Sequence, residues 1–94
     1  MTLQQLRYFC VMTEVLHYTK AANQLYISQP SLSYALNELE KELGVPLFEK
    51  RGRQTHLTKY GEAFLPYAKN ALAELSRGEA KLLEMSDPTG GSVN

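Results

Sequence analysis

Hydrophobic positions in the first half of the chain recur with helical rather than strand spacing. Leu3, Leu6, Phe9, Cys10 and Thr13 share one stripe after Thr2, a residue type suited to an N-cap, so a first helix is expected over residues 3 to about 16 with that stripe on the core. A second, shorter helix is expected to start at Thr19 and run through Ala21, Ala22 and Leu25 to near Tyr26, its paired alanines allowing another helix to pack closely. The third helix carries signals at both ends. Ser28 offers an N-cap oxygen, Pro30 suits a first turn where its missing donor costs nothing, and Gly44, Val45 and Pro46 supply a left-handed stop. Between them, residues 29 to 43 turn Leu32, Ala35, Leu36, Leu39 and Leu43 to one side. Only Tyr26, Ile27 and Ser28 separate the second helix from the third, a link that suits two helices meeting steeply, the helix-turn-helix pattern.

Beyond Pro46 the pattern changes. Residues 47–58 hold two short apolar-containing pieces around the basic, glycine-bearing tip Lys50-Arg51-Gly52-Arg53, which predicts a small hairpin, or wing. Thr58 then caps a long final helix in which Phe64, Ala68, Ala71, Leu75, Gly78 and Leu82 recur at alternating spacings of four and three, with Leu72 beside them. Such a seam serves a partner helix or the chain's own core; a helix this long outruns so small a domain, so its far half favours a dimer. Pro66 inside the run is expected to kink the helix unless its true start lies later. From Asp87 the composition turns to Pro, Thr, Gly and Ser and ends helical structure. The expected architecture is mainly α: a winged helix-turn-helix of three helices and a two-stranded wing over residues 1–58, a linker or dimerisation helix over 59–86, and the start of a hinge over 87–94.

Composition narrows the functional classes. Ninety-four residues with 44% hydrophobic content suffice for one small domain. Cys10 is the sole cysteine, sits among Tyr8, Phe9 and Val11, and reads as a buried structural thiol in a reducing cytoplasm. No apolar run approaches a membrane span, and no basic-then-apolar leader opens the chain. His17 and His56 lack carboxylate or cysteine partners at ligand spacing and read as a helix-end residue and a hairpin residue, leaving no metal site. With no nucleophile beside a base and no phosphate loop, an enzyme is rejected.

Zero net charge argues mildly against a polyanion partner, but the distribution qualifies that objection. Residues 50–59 hold Lys50, Arg51, Arg53 and Lys59 without an acid, so the positive charge is local. The third helix adds a second signal. Opposite its leucines it carries Pro30, Ser33, Tyr34, Asn37, Glu38 and Lys41, with Gln29 and Ser31 at the tip, where a helix needing only solubility would carry Glu, Lys and Ala. Hydrogen-bonding side chains of this kind point to a ligand.

Three stretches carry a family resemblance: Ala21-Ala22-x-x-Leu25-x-Ile27-Ser28-Gln29-Pro30-Ser31-Leu32-Ser33, then Leu39-Glu40-x-x-Leu43-Gly44-Val45-Pro46-Leu47-Phe48, then Leu57-Thr58-x-x-Gly61-Glu62. Together they resemble the DNA-binding region of LysR-type transcriptional regulators. The resemblance implies a prokaryotic regulator that binds double-stranded DNA, with the third helix in the major groove, the wing at the minor groove, and the linker helix paired antiparallel in a homodimer, the full-length protein being a dimer or tetramer. It also implies a fragment lacking a larger domain that binds a small-molecule effector, with no cofactor in the present chain.

By the same resemblance Gln29, Ser31, Ser33, Tyr34 and Asn37 face base edges, Pro30 packs on sugar or thymine methyl, and Arg53 enters the minor groove. Thr19, Ser28, Lys50 and Arg51 are assigned to phosphates. Physical chemistry agrees: glutamine can bridge N6 and N7 of adenine, and narrow A·T minor grooves attract arginine. Relatives often carry arginine where this chain has Tyr34, and basic residues where it has Asn37 and Glu38. A tyrosine at 34 can equally pack against the wing. The competing function is a helical protein-interaction module that reads no DNA.

Overall fold

A computed structural model describes residues 1–86; the hinge expected over 87–94 lies outside the described residues. Capping explains where each element begins. The Thr2 side chain accepts from the Gln5 N–H at 3.0 Å while the Gln5 side chain accepts from the Thr2 N–H, a reciprocal box that starts α1, Leu3–Val15. Leu6, Phe9 and Met12 form its buried stripe; Leu3 is exposed and Met12 takes its place, correcting the stripe read from the sequence. α2 spans Tyr18–Leu25 and starts one residue before the expected Thr19, because the His17 imidazole caps it: Nδ1 accepts from the Lys20 N–H at 3.2 Å. Ser28 caps α3, Gln29–Leu43, by accepting from the Ser31 N–H, and Gly44 closes the helix as expected.

The wing is an antiparallel hairpin of β1, Phe48–Arg51, and β2, Gln54–Leu57, paired from Phe48↔Leu57 to Arg51↔Gln54. Gly52 takes φ +64° at the first of the two turn positions, a conformation that glycine adopts without steric cost and that leaves Arg53 at the very tip. α4 then runs over Lys59–Ser86 with Pro66 inside it, so the helix starts before the proline and not after it. Pro66 and Glu62 are both exposed, and the Glu62 carbonyl that proline cannot engage is left on a water-accessible side.

One core joins these elements. Leu6, Phe9 and Met12 of α1 meet Ala21 and Ala22 of α2, Leu32, Leu36 and Leu39 of α3, Leu47 and Phe48 at the wing base, and Ala68 of α4. Phe9 sits at its centre, its ring 5.6 Å from Phe48 and 5.4 Å from Phe64 in tilted arrangements. Gly61 lets α4 approach the wing base: a Cβ there would stand 2.7 Å from the Leu57 Cδ1 and collide with the Leu47 carbonyl. Burial also raises the Cys10 thiol above its ordinary value, with a smaller lowering by Lys69 and a raising by Glu14.

The core resolves the seam of α4. Ala68 is 1% exposed and Phe64 and Leu72 pack against the same cluster, so these three expected dimer residues are committed within the chain. The exposed apolar stripe instead runs through Tyr60, Tyr67, Ala71, Leu75, Leu82 and Met85, about 60° around the helix, and Tyr67 stands where the sequence reading put Ala68.

Candidate nucleic-acid interface

The tip of α3 is a set of mutually bonded neutral side chains. Ser28 Oγ, already bound to the Ser31 N–H, donates to Ser31 Oγ at 2.8 Å, and the Gln29 amide donates to Ser33 Oγ at 2.6 Å. Gln29 and Ser33 are half-buried, whereas Pro30, Ser31, Tyr34 and Asn37 are exposed. Glutamine and serine can exchange such partners for base edges at little net cost, since one hydrogen bond replaces another. Tyr34 is 68% exposed and flanks a shallow groove with Gln5 and Tyr8 of α1, on the side away from the wing, which removes the packing role allowed by the sequence. On the same face Lys41 pairs with Glu38 at 3.3 Å, so this helix offers little net attraction for phosphate beyond its tip.

Positive charge gathers beside the tip. A groove of about 610 Å³ opens between the start of α2, the tip of α3 and the wing; Thr19, Lys20, Gln29, Lys50 and Arg53 line it, and no carboxylate does. The wing cations differ among themselves. Arg51 is held by Glu49 at 2.8 Å, while neither Lys50 nor Arg53 forms an ion pair among the described residues. Lys50 and Arg53 are therefore the freer partners for a polyanion, and Arg51 must first share or break its pair.

Of the residues expected to contact DNA, the structure brings Thr19, Gln29, Lys50 and Arg53 around one groove, with Ser28, Pro30, Ser31, Ser33 and Tyr34 on the adjoining tip. Asn37 lies further along the exposed face of α3, beside Lys41. Sequence reasoning missed Lys20, and missed that His17 and His56 also line the groove. A lysine in the first turn of α2 was the available signal for Lys20; the histidines gave none, because His17 at the start of α2 and His56 in the wing are remote from each other in sequence.

Glu40 has a different office. Its Oε2 accepts from the Leu47 N–H at 2.7 Å and the Phe48 N–H at 3.2 Å, joining α3 to the base of β1. Tyr18 lies close enough that Glu40 adds to the effect of burial in raising the phenol above its ordinary value, burial being the larger cause. Among the described residues no three His, Cys, Asp or Glu side chains gather as a metal site, and no helix is long and apolar enough to cross a membrane.

Three helices, a two-stranded wing and an exposed polar helix tip define a winged helix-turn-helix module. The chain belongs to the lysR family of bacterial regulatory helix-turn-helix proteins, whose family model matches residues 3–62. It is 38% identical over 94 residues to the uncharacterized HTH-type transcriptional regulator YybE of Bacillus subtilis, covering 100% of this chain and 32% of that protein. Against the Hca operon transcriptional activator HcaR of Escherichia coli, identity is 46% over 83 residues, 87% of this chain and 27% of the relative. The chain thus spans only about a third or less of the length of these curated relatives.

Among solved structures, the BenM_DBD/catB site 1 DNA complex superposes with a TM-score of 0.87 at 36% identity, covering 92% of both chains. The CbnR_DBD-DNA complex gives 0.86 at 33% identity, covering 93% of this chain and 100% of the other.

Proposed function

We propose that this chain is the sequence-specific DNA-binding part of a dimeric, cytoplasmic transcription regulator. The observation that carries the reading is the neutral hydrogen-bonding tip of α3 beside an acid-free cationic groove shared with α2 and the wing. The tip enters the major groove, where Gln29, Ser31, Ser33 and Tyr34 meet base edges, Pro30 meets sugar or thymine methyl, and Asn37 follows along the helix. Lys50, Thr19, Ser28 and, after leaving Glu49, Arg51 hold phosphates; Lys20 joins them. Arg53 enters the adjacent minor groove.

Two copies pair through the exposed stripe of α4, with Ala71, Leu75 and Leu82 from the expected seam and Tyr67 added to it, so that two α3 tips face successive half-sites. DNA complexes of BenM and CbnR domains that share this fold support the reading. The chain performs no chemistry on its ligand; a small-molecule effector acts elsewhere in the regulator.

Fluorescence anisotropy tests the proposal, using the best duplex that the chain selects from a randomised pool against a random duplex. The selected duplex should bind more tightly, with affinity falling steeply as salt rises. Gln29→Ala should cost about 1–3 kcal/mol on the selected duplex and relax base preference, whereas Lys50→Ala should weaken both duplexes alike. Equal losses on both duplexes for Gln29→Ala would remove its reading role. A pool without enrichment, from folded protein, would favour the protein-interaction module.

A further inference from the structure

A two-stranded hairpin has little stability of its own, so where the wing points is decided by what holds its base. Here the base is held from two sides. From α3, Glu40 Oε2 accepts from the N–H groups of both Leu47 and Phe48. From the start of α4, the Thr58 N–H donates to the Leu47 carbonyl at 3.0 Å and Thr58 Oγ donates to the Pro46 carbonyl at 2.6 Å. The Glu40 backbone is itself fixed, because its carbonyl accepts the Gly44 N–H at 2.8 Å and so ends α3. One carboxylate oxygen therefore connects the end of the reading helix to the first residue of the strand that leads to Lys50 and Arg53.

We infer that Glu40 is a positioning residue for DNA recognition: by clamping the Leu47 and Phe48 amides it sets the wing's direction relative to α3, and acts on DNA through Arg53. The inference rests on the DNA-binding reading, yet part of its test does not need DNA. Glu40 is also an acid in a domain that binds a polyanion, so charge alone predicts the opposite sign: deleting it would tighten binding. Three substitutions separate reach from charge. Glu40→Ala removes the acceptor; Glu40→Asp keeps the charge but withdraws the oxygen by one methylene; Glu40→Gln keeps an acceptor oxygen at full length without the charge.

Amide hydrogen exchange on the complete 94-residue chain comes first. Protection of the Leu47 and Phe48 amides should fall in Glu40→Ala and Glu40→Asp and persist in Glu40→Gln. Unchanged protection in both of the first two would overturn the clamp whatever the protein binds. On the selected duplex, Glu40→Ala and Glu40→Asp should each weaken binding on the order of tenfold, while Glu40→Gln binds as well as the parent or better.

A double-mutant cycle then asks where the loss arises. In an Arg53→Ala background Glu40→Asp should cost almost nothing more, because the tip it positions is already gone. Additive losses would overturn action through the wing, as would tighter binding by Glu40→Ala. Thermal unfolding of each variant identifies any that fail to fold; Glu40→Asp and Glu40→Gln, which keep the side chain polar and near full size, carry the test if Glu40→Ala does. Failure of the parent chain to enrich any duplex, with the exchange pattern as expected, would locate the error in the DNA reading rather than in the clamp.

Discussion

The two halves of α4 carry the same kind of apolar spacing and meet different fates. In the near half Gly61, Phe64, Ala68 and Leu72 close onto α1 and the wing base, and Ala68 is sealed from water. Every residue from 73 to 86 is exposed, Leu82 to 67% and Met85 to 71%. A heptad-like spacing therefore reports that a helix has an apolar stripe; what covers the stripe depends on how far the rest of the chain reaches. The near half belongs to the domain, while the far half keeps its apolar stripe exposed, as the proposed pairing of two copies requires.

Substitutions in the two halves should separate these roles. The largest effect is expected at the contact of α4 with the core: Phe9→Ala removes the ring between Phe48 and Phe64 and should destabilise the fold by about 3–5 kcal/mol in denaturant unfolding. Gly61→Ala should cost about 1–3 kcal/mol by the same measurement, since the added methyl group meets Leu57 and the Leu47 carbonyl; no loss would mean that α4 approaches the wing less closely than described.

In the far half, Leu75→Asp should change subunit stability by no more than about 0.5 kcal/mol while shifting the mass measured by light scattering from dimer to monomer. Its unfolding has to be compared at a concentration where both proteins are monomeric. A mutant that stays dimeric would move the seam elsewhere.

The smallest expected effect is on pH dependence, and it belongs to the domain side of the molecule. Cys10 and Tyr18 both have pKa values raised above their ordinary 9.0 and 10.0, mainly by burial. A raised value means the folded state holds the proton more tightly. The stabilisation is complete below the ordinary values and is lost as pH climbs through the raised ones. Thermal unfolding should therefore show these groups contributing no slope between pH 7 and about 8, then a decline in strongly alkaline buffer that Tyr18→Phe reduces.

What the sequence disclosed follows from the range of each interaction. α3 was legible at both ends because Ser28 and Gly44 act on the backbone next to them. The start of α2 was not, since an imidazole seldom serves as an N-cap and Thr19 offered the more familiar hydroxyl. Ala68 and Tyr67 are adjacent, and a spacing argument with a tolerance of one residue cannot choose between two stripes about 60° apart; only the burial of Ala68 under α1 decides.

The tip of α3 was likewise readable as a polar surface, but its internal bonds, Gln29 to Ser33 and Ser28 to Ser31, depend on rotamers that no pattern encodes. The groove is still less local. Lys20 meets Lys50 and Arg53 there across thirty residues of chain, and Glu40 reaches the wing base through a loop that sequence alone leaves undirected.

The 28 residues of α4, at 1.5 Å each, form a rod roughly 42 Å long that is gripped at one end only. Such a rod is a lever, and its gain is geometric. A tilt of about 5° at Gly61 would carry Ser86, roughly 37 Å further along the rod, through about 3.3 Å, close to the 3.4 Å step between successive base pairs. The tight seat of Gly61 against Leu47 and Leu57 is thus a bearing whose play is magnified along the rod. For two such molecules paired as proposed above, the tolerance of that bearing would set how finely the pair measures the distance between two sites on DNA.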